Sequence, residues 1–274
     1  MIIDSHQHFW EFDPLRDHWI TDEMKVLKGD FLPSDLDPLL KANKIDGCVA
    51  VQADQSASET GLLLDLSHKN NFIKGVVGWV DLCADNITGQ LDYYSQFKNL
   101  KGFRHILQAE PKGFMLQPKF LFGIRQLVQY NFTYDILIYP HQMSESLSFV
   151  KHFPSQKFVV DHLAKPDIKN NSFDAWSAGI SQLASIENVY CKISGLTTEA
   201  DWKNWKPADL MPYLDFALTK FGPGRLLYGS DWPVCLVAGT YDRQFELIEN
   251  FVAQFSPSEK LQVLGENAVH FYNL

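Results

Sequence analysis

The chain has 274 residues, 46% of them hydrophobic and 21% charged, with a formal net charge of −9. That composition suits a folded chain with one large core or two smaller ones. The acidic balance (pI near 5.4), without any cluster of Lys and Arg, excludes a nucleic-acid backbone or an anionic membrane as partner.

The chain opens with MIIDSHQHFW, where Asp4 and two histidines stand in place of the basic start and apolar run of a signal peptide. No later stretch approaches the roughly 18 uninterrupted apolar residues of a membrane span, so a cytoplasmic protein is expected. Short apolar, β-branched-rich runs predict strands at 1–4, 47–52, 73–80 and 101–107, and again at 132–139, 157–161, 189–194 and 225–229. Helical periodicity fills several gaps. Phe120, Leu121, Ile124, Leu127 and Val128 form one stripe after Pro118; Phe173, Trp176, Ile180 and Leu183 form a second; Leu210, Leu214 and Phe221 a third. Ser256, Pro257 and Glu259 supply an N-cap, an N1 proline and a capping-box partner for a helix through Leu261 and Leu264. Cys48, Cys83, Cys191 and Cys235 include no CxxC pair and are expected as free thiols.

Eight strands alternating with helices, most of them apolar on both faces, describe an α/β protein with a parallel sheet covered by helices. At this length the closed (β/α)8 TIM barrel is the expected fold, one domain over 1–274. An open doubly wound sheet would carry a Gly-rich phosphate loop after its first strand, where this chain has His-Gln-His-Phe-Trp.

Barrel enzymes place their chemistry at the C-terminal ends of the strands. His6 and His8, two residues apart, project to one face and can converge on a metal or a carbonyl oxygen; alone, the pair reads equally as two structural histidines. Asp231 follows LLYGS at the end of the eighth strand, which barrel closure sets beside the first. There it can ligate a metal with the imidazoles or take a proton from water; the other reading is a turn Asp before Trp232-Pro233. His162 ends the apolar run KFVVDH at the same mouth, and Lys165 in the following loop brings a cation near a substrate. Of Arg104 and His105, successive on the fourth strand, only one can point inward; Arg104 is taken as that one, to hold hydroxyls or a carboxylate, or else to pair with a buried acid. The loop from Phe9 to about Pro33 carries Trp10, Phe12, His18 and Trp19, and the stretch after strand seven carries Trp202 and Trp205. Trp10 and Trp202 can stack on a sugar ring or serve as loop anchors.

IDSHQHFW, KGFRH, VVDHLAKP, LLYGSDWPV and the terminal GENAVHFYNL together resemble the amidohydrolase superfamily, in its branch of sugar-lactone and dicarboxylate lactonases, over the whole chain. The resemblance implies hydrolysis of an aldonolactone, L-fuconolactone or a related deoxy-sugar lactone, to the open acid. It sets His6, His8, His162 and Asp231 at the family's catalytic positions. The fourth strand lacks the bridging Lys or Glu of dinuclear members and the fifth has no His until His141, so a two-metal centre is not expected. Either no essential metal or one divalent ion, zinc if present, held by His6, His8 and Asp231, is implied. A zinc-dependent decarboxylase or a dicarboxylate lactonase on the same barrel, and a non-catalytic sugar-binding barrel, are the alternatives. The partner is a small-molecule sugar lactone, and a homo-oligomer stays open.

Overall fold

In a computed structural model that describes residues 1–274, the first strand, β1 (Ile3–Gln7), starts the barrel. The sheet continues through β2 (Gly47–Val51), β3 (Ile73–Gly78), β4 (Leu100–His105) and β5 (Thr133–Ile136) to β6 (Phe158–Val160), β7 (Val189–Ile193) and β8 (Leu226–Tyr228). Each strand pairs in parallel with the next in chain order. The ends meet: the Asp231 N–H donates to the His6 carbonyl at 2.8 Å and the His8 N–H to the Trp232 carbonyl at 2.7 Å. The fold is a (β/α)8 TIM barrel.

Seven strands fall within a few residues of their expected positions, but β1 lies later than 1–4 and carries His6 and Gln7 inside it. Their polarity reads as a strand end; in this barrel His6 lines a polar interior, while Gln7 faces the helix layer and its Nε2–H donates to Cys48 Sγ at 3.3 Å. A register irregularity between Asp4 and Gln7 lets Ile3 and His6 both face inward, while Asp4 accepts a bond from the Tyr241 hydroxyl at 2.9 Å.

Helices α1 (Pro33–Ala42), α2 (Ala57–Lys69), α3 (Ile87–Tyr94), α4 (Pro118–Leu127) and α5 (Met143–Val150) cover the outside, followed by α6 (Phe173–Ala184), α7 (Pro207–Phe221) and α8 (Tyr241–Val252). The three predicted stripes become the inner faces of α4, α6 and α7, burying Phe120, Ile124, Leu127, Trp176, Ile180, Leu183, Leu210, Leu214 and Phe221. The Ser256 capping box opens α9 (Pro257–Leu261), which runs through a π-helical turn at Gln262–Glu266 into α10 (Asn267–Tyr272). Gly265 allows that passage: a Cβ there would lie 2.0 Å from the Met1 carbonyl oxygen.

Ala268, Phe271 and Tyr272 of α10 pack with Ile3, Val49, Val51, Val77, Val159 and Leu227, closing the N-terminal end of the barrel with an apolar plug. The interior therefore turns polar only toward the strands' C-terminal ends. All four cysteines are free, and no helix is long and apolar enough to cross a membrane.

Candidate active site

Where β1 and β8 close the barrel, Asp231 projects among three imidazoles. Its Oδ1 lies 3.9 Å from His6 Nε2, 3.5 Å from His8 Nε2 and 3.8 Å from His162 Nε2. The His6 ring centroid is 5.0 Å from that of His8 and 4.4 Å from that of His162. All four residues are buried. His162 enters from a turn at Asp161–Ala164 directly after β6, in which His162, Leu163, Ala164 and Lys165 all adopt left-handed backbone, as does Asp231. Gly195, after β7, makes room: a Cβ there would come within 2.6 Å of His162 Nδ1 and 3.2 Å of Asp231 Oδ2.

Hydrogen bonds constrain where His8 and His162 carry their protons. His8 Nδ1 lies 2.7 Å from the Val51 carbonyl, which only accepts, so Nδ1 holds the proton and the neutral ring turns a bare Nε2 lone pair toward Asp231. His6 is flanked by cationic donors on both nitrogens, Arg104 Nη1 at 3.2 Å from Nε2 and Lys192 Nζ at 3.0 Å from Nδ1, while the Asp161 Oδ1 that lies 3.3 Å from Nδ1 makes no hydrogen bond. His162 Nδ1 meets the Ser194 hydroxyl at 2.9 Å, a partner that can donate, so His162 alone of the three can be neutral and present an Nε2–H. Burial favours neutral rings throughout: it lowers His162 to about 4 and lowers His8, and with Lys192 close by it sets His6 well below its ordinary value. Burial alone would raise Asp231, but the surrounding imidazoles, His162 foremost, hold it below the usual carboxylate range.

A family model described as amidohydrolase matches residues 3–274. The chain belongs to the amidohydrolase family. It is 37% identical to the L-fucono-1,5-lactonase of Burkholderia multivorans (strain ATCC 17616 / 249), over 99% of this chain and 96% of that one. With the L-fucono-1,5-lactonase of Burkholderia ambifaria it shares 33% identity over 99% and 95%. A crystal structure of an amidohydrolase from Burkholderia multivorans with bound zinc matches with a TM-score of 0.97 and 36% identity, covering 100% of this chain and 99% of that one.

In this amidohydrolase His6, His8 and Asp231 each offer one ligand atom, all within 4.8 Å of one another. Zinc ligands at about 2.1 Å lie roughly 3.4 Å apart; here Asp231 Oδ1 is 3.5 Å and 3.9 Å from the two imidazole nitrogens, so the set would draw in slightly around an ion. The bare His8 lone pair facing a carboxylate oxygen is an acceptor opposite an acceptor, an arrangement that a proton or a cation completes. The donor set fits a single divalent ion.

The remaining residues singled out from the sequence lie around this cluster. Arg104 does point inward, but its guanidinium is engaged: besides His6 it donates to Asp161 Oδ2 at 3.1 Å and to the Gln52 carbonyl. Trp10 is buried with its ring 6.4 Å from His8, and its Nε1–H donates to the Gly29 carbonyl at 3.0 Å. With Ile20 and Leu27 it forms a small core inside the long first loop. Trp202, half-buried, donates to the Thr198 carbonyl at 2.8 Å, and Lys165 Nζ lies 3.5 Å from Glu199 and over the Tyr139 ring. His141 is exposed in the turn after β5, stacked on Tyr139.

Sequence reasoning missed the layer beneath. Lys192 of β7, fully buried, reaches Asp135 Oδ2 at 2.5 Å, Asp161 Oδ1 at 3.0 Å and His6 Nδ1 at 3.0 Å. The Tyr272 hydroxyl donates to Asp135 from the plug at 2.7 Å. The available signal was a lone charge inside each of two apolar runs, VYCKI and TYDI, at inward positions of barrel strands.

Proposed function

We propose that this amidohydrolase opens a sugar lactone, L-fuconolactone or a related deoxy-sugar aldonolactone, to the acid, with Asp231 as general base. The observation that carries the reading is the Asp231 carboxylate, ionised at neutral pH and set among three imidazoles where the barrel opens. The two lactonases at 37% and 33% identity over nearly the whole chain support the choice of substrate class.

Asp231 takes a proton from the attacking water as its oxygen bonds to the lactone carbonyl carbon, and the carbonyl electrons move onto oxygen. His162, the one imidazole able to offer Nε2–H while neutral, donates to that oxyanion. A single donor of this kind stabilises the transition state by about 3 kcal/mol. Collapse of the tetrahedral species breaks the bond to the ring oxygen, and Asp231 returns the proton to it. Arg104 and Lys192 hold the His6 ring in place from below. A divalent ion on His6, His8 and Asp231 would supply Lewis-acid polarisation of the carbonyl. Lys165, Trp10 and Trp202 are proposed as walls of the sugar pocket. A decarboxylase would need an imidazole on the fifth strand, where the inward residue is Asp135, paired with Lys192.

A pH-indicator screen over L-fucono-, L-rhamnono-, D-galactono- and L-arabinonolactones, with and without chelator, tests this. Acid release is expected from at least one, with Asp231→Asn slower by about 10²- to 10⁴-fold. Hydrolysis of none, or near-normal turnover by that variant, overturns it.

A further inference from the structure

His6 Nε2 has one lone pair and two claimants. Arg104 Nη1 donates to it at 3.2 Å, and it is also one of the three atoms that converge to receive a cation. A guanidinium has no acceptor and keeps its charge, so it cannot share that lone pair with a metal. We propose that Arg104 and a divalent ion are alternative occupants of His6 Nε2, and that Arg104 thereby sets the metal affinity of the site.

Three features make the exchange workable. Arg104 can only donate, so the Nε2 it meets at 3.2 Å is already bare, the form a metal also requires, and no proton has to leave that nitrogen when the occupants exchange. Arg104 has further anchors, Asp161 Oδ2 and the Gln52 carbonyl, on which it can remain after Nη1 leaves the imidazole. Charge also opposes joint occupancy: the ligand set offers only the carboxylate of Asp231, and Arg104 and Lys192 already place two cations around His6. A divalent ion added beside an unmoved guanidinium would meet repulsion in a buried site where screening is weak. The second group of possible ligands, His6, Asp161 and His162, is excluded by the same logic, since Asp161 is paired with both Lys192 and Arg104.

This inference concerns the cluster that the lactonase reading uses, but its test needs no substrate. Zinc binding to the chelator-stripped full chain is measured by titration calorimetry for wild type, Arg104→Met and Arg104→Lys. Groups that support a metal's ligands change its affinity by about 10- to 100-fold; here removal should strengthen binding by that order in Arg104→Met. A smaller gain is expected in Arg104→Lys, which keeps the charge and loses the fork. Equal or weaker zinc binding in Arg104→Met overturns the proposal. Should that variant fail to fold, crystals of the wild type grown with and without zinc decide: the zinc form should show Nη1 moved off His6. Zinc on His6, His8 and Asp231 with Arg104 unmoved refutes it. Failure of the lactone screen would leave the affinity ranking intact, so the two readings can fall separately.

Discussion

Two polar layers sit one above the other in the barrel and are built on opposite principles. In the lower one Arg104 and Lys192 face Asp135 and Asp161, with contacts of 2.5 Å, 3.0 Å and 3.1 Å between opposite charges. Two cations meet two anions, and Tyr272 closes the set from the plug. In the upper one a single carboxylate faces three imidazoles across 3.5–3.9 Å, and one of those imidazoles turns a lone pair toward it. The lower layer is balanced in charge as it stands, although Asp135 Oδ1, Asp161 Oδ1 and Arg104 Nε are left without hydrogen-bond partners, whereas the upper one is completed by a proton or a cation. Stability should depend on the first and chemistry on the second.

Removing one charge from the lower layer is the strongest way to break that distinction. Lys192→Met leaves Asp135 and Asp161 buried without their shared cation, which costs about 3–5 kcal/mol. Denaturant melts should show it, and the double variant Lys192→Met/Asp135→Leu should recover much of the loss, because an apolar replacement of a whole pair is often close to neutral. Asp231→Asn should melt near wild type. If Lys192→Met costs under about 1 kcal/mol, the charge balance of the lower layer does not carry stability as described.

The two layers also differ in how legible they were. The strand order, and the convergence of His6, His8, His162 and Asp231, could be read because His8, His162 and Asp231 follow their strands, His6 is two residues from His8, and barrel closure makes the first and last strands neighbours. Lys192 and Asp135 sit mid-strand, where a lone charge in an apolar run looks like an outward-facing residue unless the inward register is known. Arg104 could be placed inward by alternation, but whether it meets a substrate or Asp161 depends on a residue 57 positions away on another strand. The π-helical turn at Gln262–Glu266 had no local signal either, since it depends on how closely Met1 approaches Gly265.

Acid should separate the layers further. His162 is lowered to about 4 by burial, against an ordinary 6.5. Between those values the unfolded chain binds a proton that the folded one does not, so this residue's stability contribution is complete above pH 6.5 and falls as pH drops toward 4. The loss amounts to about 3 kcal/mol. In His162→Gln that component is absent. The stability difference between wild type and variant should therefore shift against the wild type by that order from pH 7 to pH 4, followed by thermal or urea melts. A pH-independent difference would mean that His162 titrates like a solvent-exposed imidazole, and the upper layer would not be sealed from water.

The smallest effect concerns backbone strain, which also divides the layers. Lys192, Asp135 and Arg104 lie on regular strands, whereas His162, Leu163, Ala164 and Lys165 run left-handed in succession and Asp231 does the same across the mouth. An L-residue in that conformation is disfavoured by roughly 1–2 kcal/mol. Lys165 is the member of the run whose side chain is least buried, and it gives up only a partly exposed pairing with Glu199. Lys165→Gly should therefore raise stability by about 1 kcal/mol or less, the relief being offset by the greater freedom of glycine in the unfolded chain. If Lys165 also holds substrate, the same variant should raise KM with kcat little changed. Lower stability would show that surrounding contacts, and not tolerated strain, set the conformation of this turn, and that His162 is aimed by packing alone.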